Sequence, residues 1–206
     1  MKSFKLTCPN CRRDYALAAQ DIQPWYDQHV PRCGAQHHTG LLQRLADYVA
    51  SIKDGRVTRK FFHDPVLFTG RGLLQLFDAA GQLKQAVCSP NLVVDTGRAQ
   101  AIDRLQTASP AVCDYQAVGT NNTAAAAGDT TLNTEIGTRV QGTLSQPTAY
   151  TDRLVSTFSA GNGTGALVET GRLNASSAGV LMSRIVFSVI NKGASDSLQT
   201  THDITD

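Results

Sequence analysis

The chain has 206 residues, 41% of them hydrophobic, 17% charged and 6% aromatic. A charged fraction so far below the roughly 25% of an average soluble domain, with Gly, Thr, Ser, Asn and Ala plentiful, weighs against long helical bundles and points to strands and tight turns. No window reaches the roughly 18–20 uninterrupted apolar residues of a membrane span, and Met1 to Lys5 lead into cysteines rather than an apolar signal core, so the expectation is a soluble, unsecreted protein made in the cytoplasm.

The net charge of +2 hides an asymmetry. Residues 1–72 carry 11 Lys/Arg against 6 Asp/Glu, and residues 73–206 carry 8 against 11, so the two parts are +5 and −3. The basic residues of the first part are scattered and the excess is modest, which disfavours nucleic acid as a partner.

In chain order, the first feature is a cysteine cluster. Cys8-Pro9-Asn10-Cys11 is followed after 17 residues by His29-Val30-Pro31-Arg32-Cys33. A C-x2-C turn supplies two thiolates, and His29 with Cys33 adds a nitrogen and a third thiolate, so that four ligands close a tetrahedron around Zn²⁺. A closed set of four is structural: it leaves no vacancy for a water, and its binding free energy becomes folding free energy for a piece with little core of its own. His37 and His38 are alternative fourth ligands, because Pro31 is unfavourable if a helix runs from His29 to Cys33. Between the cysteines, residues 22–30 read as a short helix with Asp21 as cap and Pro24 in its first turn. Arg12, Arg13 and Arg32 lie beside the proposed ligands.

Residues 38–53 place Leu41, Leu42, Leu45, Tyr48, Val49 and Ile52 at helical spacing, and Asp54-Gly55 ends the pattern. The period then falls to about two. Short apolar runs at 57–62, 65–68 and 73–77 read as strands separated by turn residues. A second helix is expected after Asp95, with Asp95 or Thr96 as cap, Ala99, Ile102 and Leu105 on one side, and Ser109-Pro110 as its end. Six further strands are expected at 115–118, 139–144, 153–159, 166–169, 181–190 and 198–205. In the last two, Leu181, Ser183, Ile185, Phe187 and Val189 share a face, as do Leu198, Thr200, His202 and Ile204, and residues 191–196 read as a hairpin loop between them. Two loops, 119–134 and 174–179, are long, small and polar, in the manner of contact arms. The implied organisation is a zinc-binding finger at 1–38, an amphipathic helix and linker at 39–56, and a mainly β domain at 57–206, an antiparallel sandwich.

Catalytic patterns are missing. There is no G-x-S-x-G elbow, no paired carboxylates stand out, and Cys88 and Cys113 sit in apolar surroundings suited to inert thiols. Gly161-Asn162-Gly163-Thr164-Gly165 lacks the Lys-Ser/Thr ending of a phosphate loop and reads as a turn between strands. The expectation is a protein that is not an enzyme.

From residue 73 onward the chain resembles a group of tailed-bacteriophage virion proteins. The likeness is carried by Leu73 to Asp78, Ala117-Val118-Gly119-Thr120, Ala124 to Ala127, Asp129, Leu132, Glu135, Arg139, Phe158, Glu169, Gly171, Leu173-Asn174-Ala175, Met182-Ser183-Arg184, Val186-Phe187 and Val189 to Gly193. It implies a jelly-roll-like capsid decoration, or cement, protein that bridges subunits of the major capsid protein on the virion surface, self-associated as a dimer or trimer. The N-terminal finger resembles small C2HC zinc fingers and is not a standard part of that pattern. A tail, neck or fibre component of the virion, and a zinc-finger regulator binding nucleic acid, are the alternatives.

Overall fold

The computed structural model describes residues 3–7, 14–22, 24–25, 68–107 and 111–205. The expected zinc ligands, the expected helix at 38–53, the expected strand at 57–62, all but Phe68 of the expected strand at 65–68, and both expected domain boundaries lie outside these residues.

The described chain is mainly β. Near the N-terminus β1 (Ser3–Thr7) and β2 (Asp14–Ala18) pair antiparallel, from Ser3↔Ala18 to Thr7↔Asp14. A 3-10 turn at Ala19–Asp21 follows, so Asp21, expected as a cap, lies inside helical geometry; of the helix expected at 22–30, Ile22, Pro24 and Trp25 are helical and the rest lies outside the described residues. The remaining strands are β3 (Thr69–Phe77), β4 (Leu83–Val93), β5 (Tyr115–Gly119), β6 (Glu135–Gln141), β7 (Thr143–Thr148), β8 (Thr151–Phe158), β9 (Gly165–Leu173), β10 (Leu181–Lys192) and β11 (Ser197–Thr205). They form one antiparallel sheet in the order β6-β5-β9-β10-β4-β3-β11-β8-β7.

The two ends of that order, β6 and β7, are consecutive in the chain and separated only by Gly142. The first half of this long strand pairs with β5 and the second with β8, so the sheet curls until its edges belong to one stretch of backbone. Gly142 makes the corner possible: a Cβ there would run into Ser156 Oγ and the Val155 carbonyl. At the opposite corner β4 pairs with β3 over most of its length and reaches β10 through Leu92 and Val93.

Alternation then sorts side chains to the two faces. Inside the curl, Leu74, Leu76, Val118, Phe158, Leu167, Ile185, Phe187, Ile190 and Leu198 form the main apolar core. Outside it, Leu73 and Ala86 are covered by Ile22, Leu17 and Trp25 from the N-terminal segment. A third cluster, Val94, Ala117, Leu132, Leu173 and Leu181, lies under the 120–134 loop.

Several local expectations are corrected. Residues 191–196 do form a turn, but not a hairpin: β10 pairs with β9 and β4, while β11 pairs with β3 and β8, so the connection crosses from one side of the curl to the other. Val189 leaves the face it was expected to share, because the three residues of β10 between Val186 and Ile190 oppose only Val168 of β9, and Ile190 takes the core position. The expected strand at 139–144 is two strands meeting at Gly142, and β4 had no counterpart among the expected elements. The expected helix is α1 (Asp95–Gln106), yet neither Asp95 nor Thr96 caps it. Val94 holds the cap position without a side-chain bond, and Thr96 donates instead to the Leu181 carbonyl (2.8 Å).

Two substitutions test this architecture by urea unfolding. Gly142→Val should destabilise by about 1–3 kcal/mol, as forced overpacking does, and Phe158→Ala by about 3–5 kcal/mol through the cavity it leaves.

Candidate interaction face

The inside of the curl changes from hydrocarbon to hydrogen bonds along its length. His202 on β11 is fully buried, with Ser183 Oγ 3.0 Å from Nε2 and Gln116 Nε2 3.3 Å from Nδ1. Thr200 donates to Gln116 Oε1 (2.6 Å), which turns the amide so that its NH₂ faces the ring. Nδ1 therefore accepts and Nε2–H donates to Ser183, which describes a neutral imidazole. Burial, and then the charge of Arg172, lower its pKa from 6.5 to about 3. The sequence pattern had put His202 on one face with Leu198, Thr200 and Ile204 but gave no sign of its partners.

Next to this layer Arg172 on β9 is almost wholly buried. Its Nε donates to the Cys113 carbonyl (2.6 Å) and Nη2 to Asp152 (2.7 Å), a carboxylate about half exposed. Gln100 of α1 holds the same stretch from the other side, donating to the Ala111 carbonyl (2.7 Å). Burial pushes the Cys113 thiol up from 9.0 to about 11 against the opposing effect of Arg172, so it stays protonated and unreactive at neutral pH, in line with its expected inertness.

These residues floor a cleft of about 730 Å³ between α1 with residues 112–113 on one side and the β7–β8 turn on the other. Val112, Leu144 and Tyr150 line it and stand exposed, beside polar and charged residues that include Arg104, Gln146 and Asp152. The other large apolar side chains exposed among the described residues, Ile102 and Leu105 on α1 and Val189 on β10, do not line it. Ala99, Ile102 and Leu105, expected on one side of α1, are exposed. The buried positions of the helix are Gly97, which lies against the Met182 backbone with no room for a Cβ, and Gln100. β7 borders the same cleft, is exposed along its whole length, carries no charged residue and has a free outer edge in the sheet order.

The long 119–134 loop is tied down rather than free. Glu169, fully buried on β9, accepts backbone N–H bonds from Asn121 (3.3 Å), Asn133 (3.2 Å) and Thr134 (2.8 Å) and pairs with Arg184 (2.8 Å). Arg184, also fully buried, reaches Asp129 (2.9 Å) and the Thr123 carbonyl (3.0 Å). The 174–179 loop is held at its ends, where Asn174 Oδ1 accepts from Val180 N–H (2.7 Å), and Arg139 donates to the carbonyls of Ala175 and Ala178. Residues 161–165 form the expected turn between β8 and β9, with positive φ at Gly161, Gly163 and Gly165.

Cys8, Cys11, His29, Cys33, His37 and His38 all lie outside the described residues, as do Arg12, Arg13 and Arg32. Among the described residues no group of three or more His, Cys, Asp or Glu is arranged to hold a metal ion, and no helix is long and apolar enough to cross a membrane. No protein-family model, curated protein or solved structure matches the chain.

Two measurements check this chemistry. Because the unfolded His202 takes up a proton near pH 6.5 and the folded one does not until about pH 3, stability should fall as pH drops through that window. The slope from this residue is up to about 1.4 kcal/mol per pH unit, and it should flatten in His202→Gln when urea midpoints are compared at pH 7 and pH 4.5. Glu169→Ala strands the buried Arg184 guanidinium and should cost about 3–5 kcal/mol, with faster hydrogen exchange at Asn133 and Thr134.

Proposed function

We propose that the chain is a non-enzymatic structural protein that works by adhesion, a decoration (cement) subunit bridging the major capsid protein on the surface of a tailed-phage virion. The observation that carries the adhesive reading is a cleft lined by the exposed apolar side chains Val112, Leu144 and Tyr150 and bordered by the uncharged, exposed edge strand β7. Monomeric proteins seldom leave large contiguous apolar patches in water, and such patches mark protein contacts. The inert Cys113 and the internally bonded His202 both serve the fold. The capsid assignment rests on the resemblance of residues 73–193 to virion proteins, and the curled antiparallel sheet is compatible with the jelly-roll sandwich which that resemblance implies.

In the same reading the N-terminal segment holds one structural Zn²⁺ through Cys8, Cys11, His29 and Cys33. The antiparallel β1–β2 pair supports a C-x2-C turn there, since Thr7 and Asp14 are paired and Cys8 and Cys11 fall on the connection between them.

Quantitative mass spectrometry of purified particles tests the placement. A decoration subunit is expected in hundreds of copies per particle, whereas a dozen or fewer would move the protein to the tail or neck, and absence from particles would end the virion reading. Elemental analysis should find one zinc per chain, lost in Cys8→Ser. Trp25 is the sole tryptophan and packs with Ile22 and Leu73, so its fluorescence should report whether chelation also loosens the N-terminal segment from the sheet.

A further inference from the structure

We infer that the cleft beside α1 receives the carboxyl end of a partner's polypeptide chain, with the terminal carboxylate and its own amide N–H on the floor and an apolar terminal side chain against the wall. The inference deepens the adhesive reading and rests on it, naming what the cleft grips.

A hydrogen-bond donor and an acceptor are left over at one place. Arg172 is 2% exposed and Gln100 3%, and both line the cleft. Arg172 uses Nε on the Cys113 carbonyl and Nη2 on Asp152, while Nη1 finds no partner among the described residues. Gln100 uses Nε2 on the Ala111 carbonyl, while Oε1 finds none. Both side chains are anchored on the same short stretch, on carbonyls two residues apart, which brings the unused donor and the unused acceptor to one part of the floor. Buried polar atoms without a partner are rare in folded chains, because they lose water and gain nothing in return. Such a pair describes the complement of a ligand, a group that accepts from a guanidinium and donates to an amide oxygen.

Charge and shape narrow the class. The charged residues of the lining are Arg104, Arg172 and Asp152, two cations against one anion, so the cleft favours a ligand with negative charge. A fully ionised phosphate offers acceptors and no donor for Gln100 Oε1. A sugar hydroxyl both donates and accepts but brings no charge. A terminal α-carboxylate brings one negative charge with a peptide N–H one carbon away, and capture of chain termini is an established mode of peptide recognition. A chain end also enters a cleft without having to leave it again. Beside the floor, Val112, Leu144 and Tyr150 stand exposed and are joined by Met182 and Ile204, which gives the terminal side chain an apolar wall. At about 730 Å³ the cleft has the volume of a small-ligand site, room for a few terminal residues.

NMR titration of the isotope-labelled full chain tests this with acetyl-Gly-Gly-Leu, the same peptide capped as its C-terminal amide, and its depsipeptide, in which an ester oxygen replaces the last N–H. The free acid should move the side-chain signals of Gln100 NH₂ and Arg172 Nε–H. The amide should bind at least about tenfold more weakly and the depsipeptide about fivefold more weakly, as the loss of a charge-assisted and of a neutral hydrogen bond predicts. Arg104→Glu, at an exposed position of α1, should weaken the acid by reversing the sign of the lining. Gln100→Met should erase the difference between acid and depsipeptide; should it fail to fold, Arg104→Glu and the three wild-type titrations decide. The inference is overturned by an amide or a depsipeptide bound as tightly as the acid, by cleft signals that stay still at every attainable peptide concentration, or by binding indifferent to Arg104→Glu. Peptide capture is read on isolated protein and copy number on particles, so this inference and the virion reading fail separately.

Discussion

Residues 135–148 must serve two strand partners that lie on opposite sides of the curl. The first half of this stretch completes the ladder of β5 and the second that of β8, and the change of allegiance takes place across Gly142 alone. Closure of the sheet depends on that corner. With it in place, Phe158, Leu167 and Leu198 face one another across a dry interior, and the polar layer of Gln116, Ser183 and His202 finds its partners from facing strands. Without it, β5 and β8 would each end in an unpaired edge, and the hydrogen-bonded layer would open to water.

The interior is polar where the curl meets α1 and apolar farther along, and the two regions impose different rules. Apolar packing tolerates exchange of similar shapes, whereas a buried network such as Thr200–Gln116–His202–Ser183 is favourable only when every member is satisfied. The Arg184–Glu169 pair follows the second rule on the other face of the sheet. There, charge that is costly to bury is accommodated by saturating it: Glu169 accepts from three backbone amides as well as from Arg184. The result is a long loop of small residues with a fixed shape, which is what a rigid contact surface needs.

Much of the β architecture was legible in the sequence because period-two alternation survives in single strands. Leu198, Thr200, His202 and Ile204 were read on one face, and the unshifted register of β11 with β3 keeps them together, with Leu198 in the main core and His202 in the polar layer. What failed were features that alternation does not encode. Strand β4 escaped notice because polar residues interrupt its pattern; Ser89 points inward and is satisfied by the Val186 carbonyl (2.9 Å). The helix α1 was recognised but its buried side was not, since it buries Gly97 by close backbone approach, which leaves no apolar signature. The turn at 191–196 was recognised, but which strands it joins is a matter of long-range pairing. The cleft was invisible for the same reason: Arg172, Asp152 and Gln100 are far apart in the chain and nothing local links them.

The strand order also bears on how the protein is made. β11 is the last strand in the described chain, yet it lies in the middle of the sheet between β3 and β8, with Ser197 opposite Phe77. During synthesis β3 must wait for a partner 120 residues downstream, which at roughly 5–20 residues per second is on the order of ten seconds. Through that interval the hydrophobic strand Leu73 to Phe77 has β4 on one edge and nothing on the other, and the curl cannot close. Closure of the sheet therefore waits for residues 197–205, and a chain cut short before residue 197 keeps one edge of an apolar strand open, a natural target for chaperones and proteases.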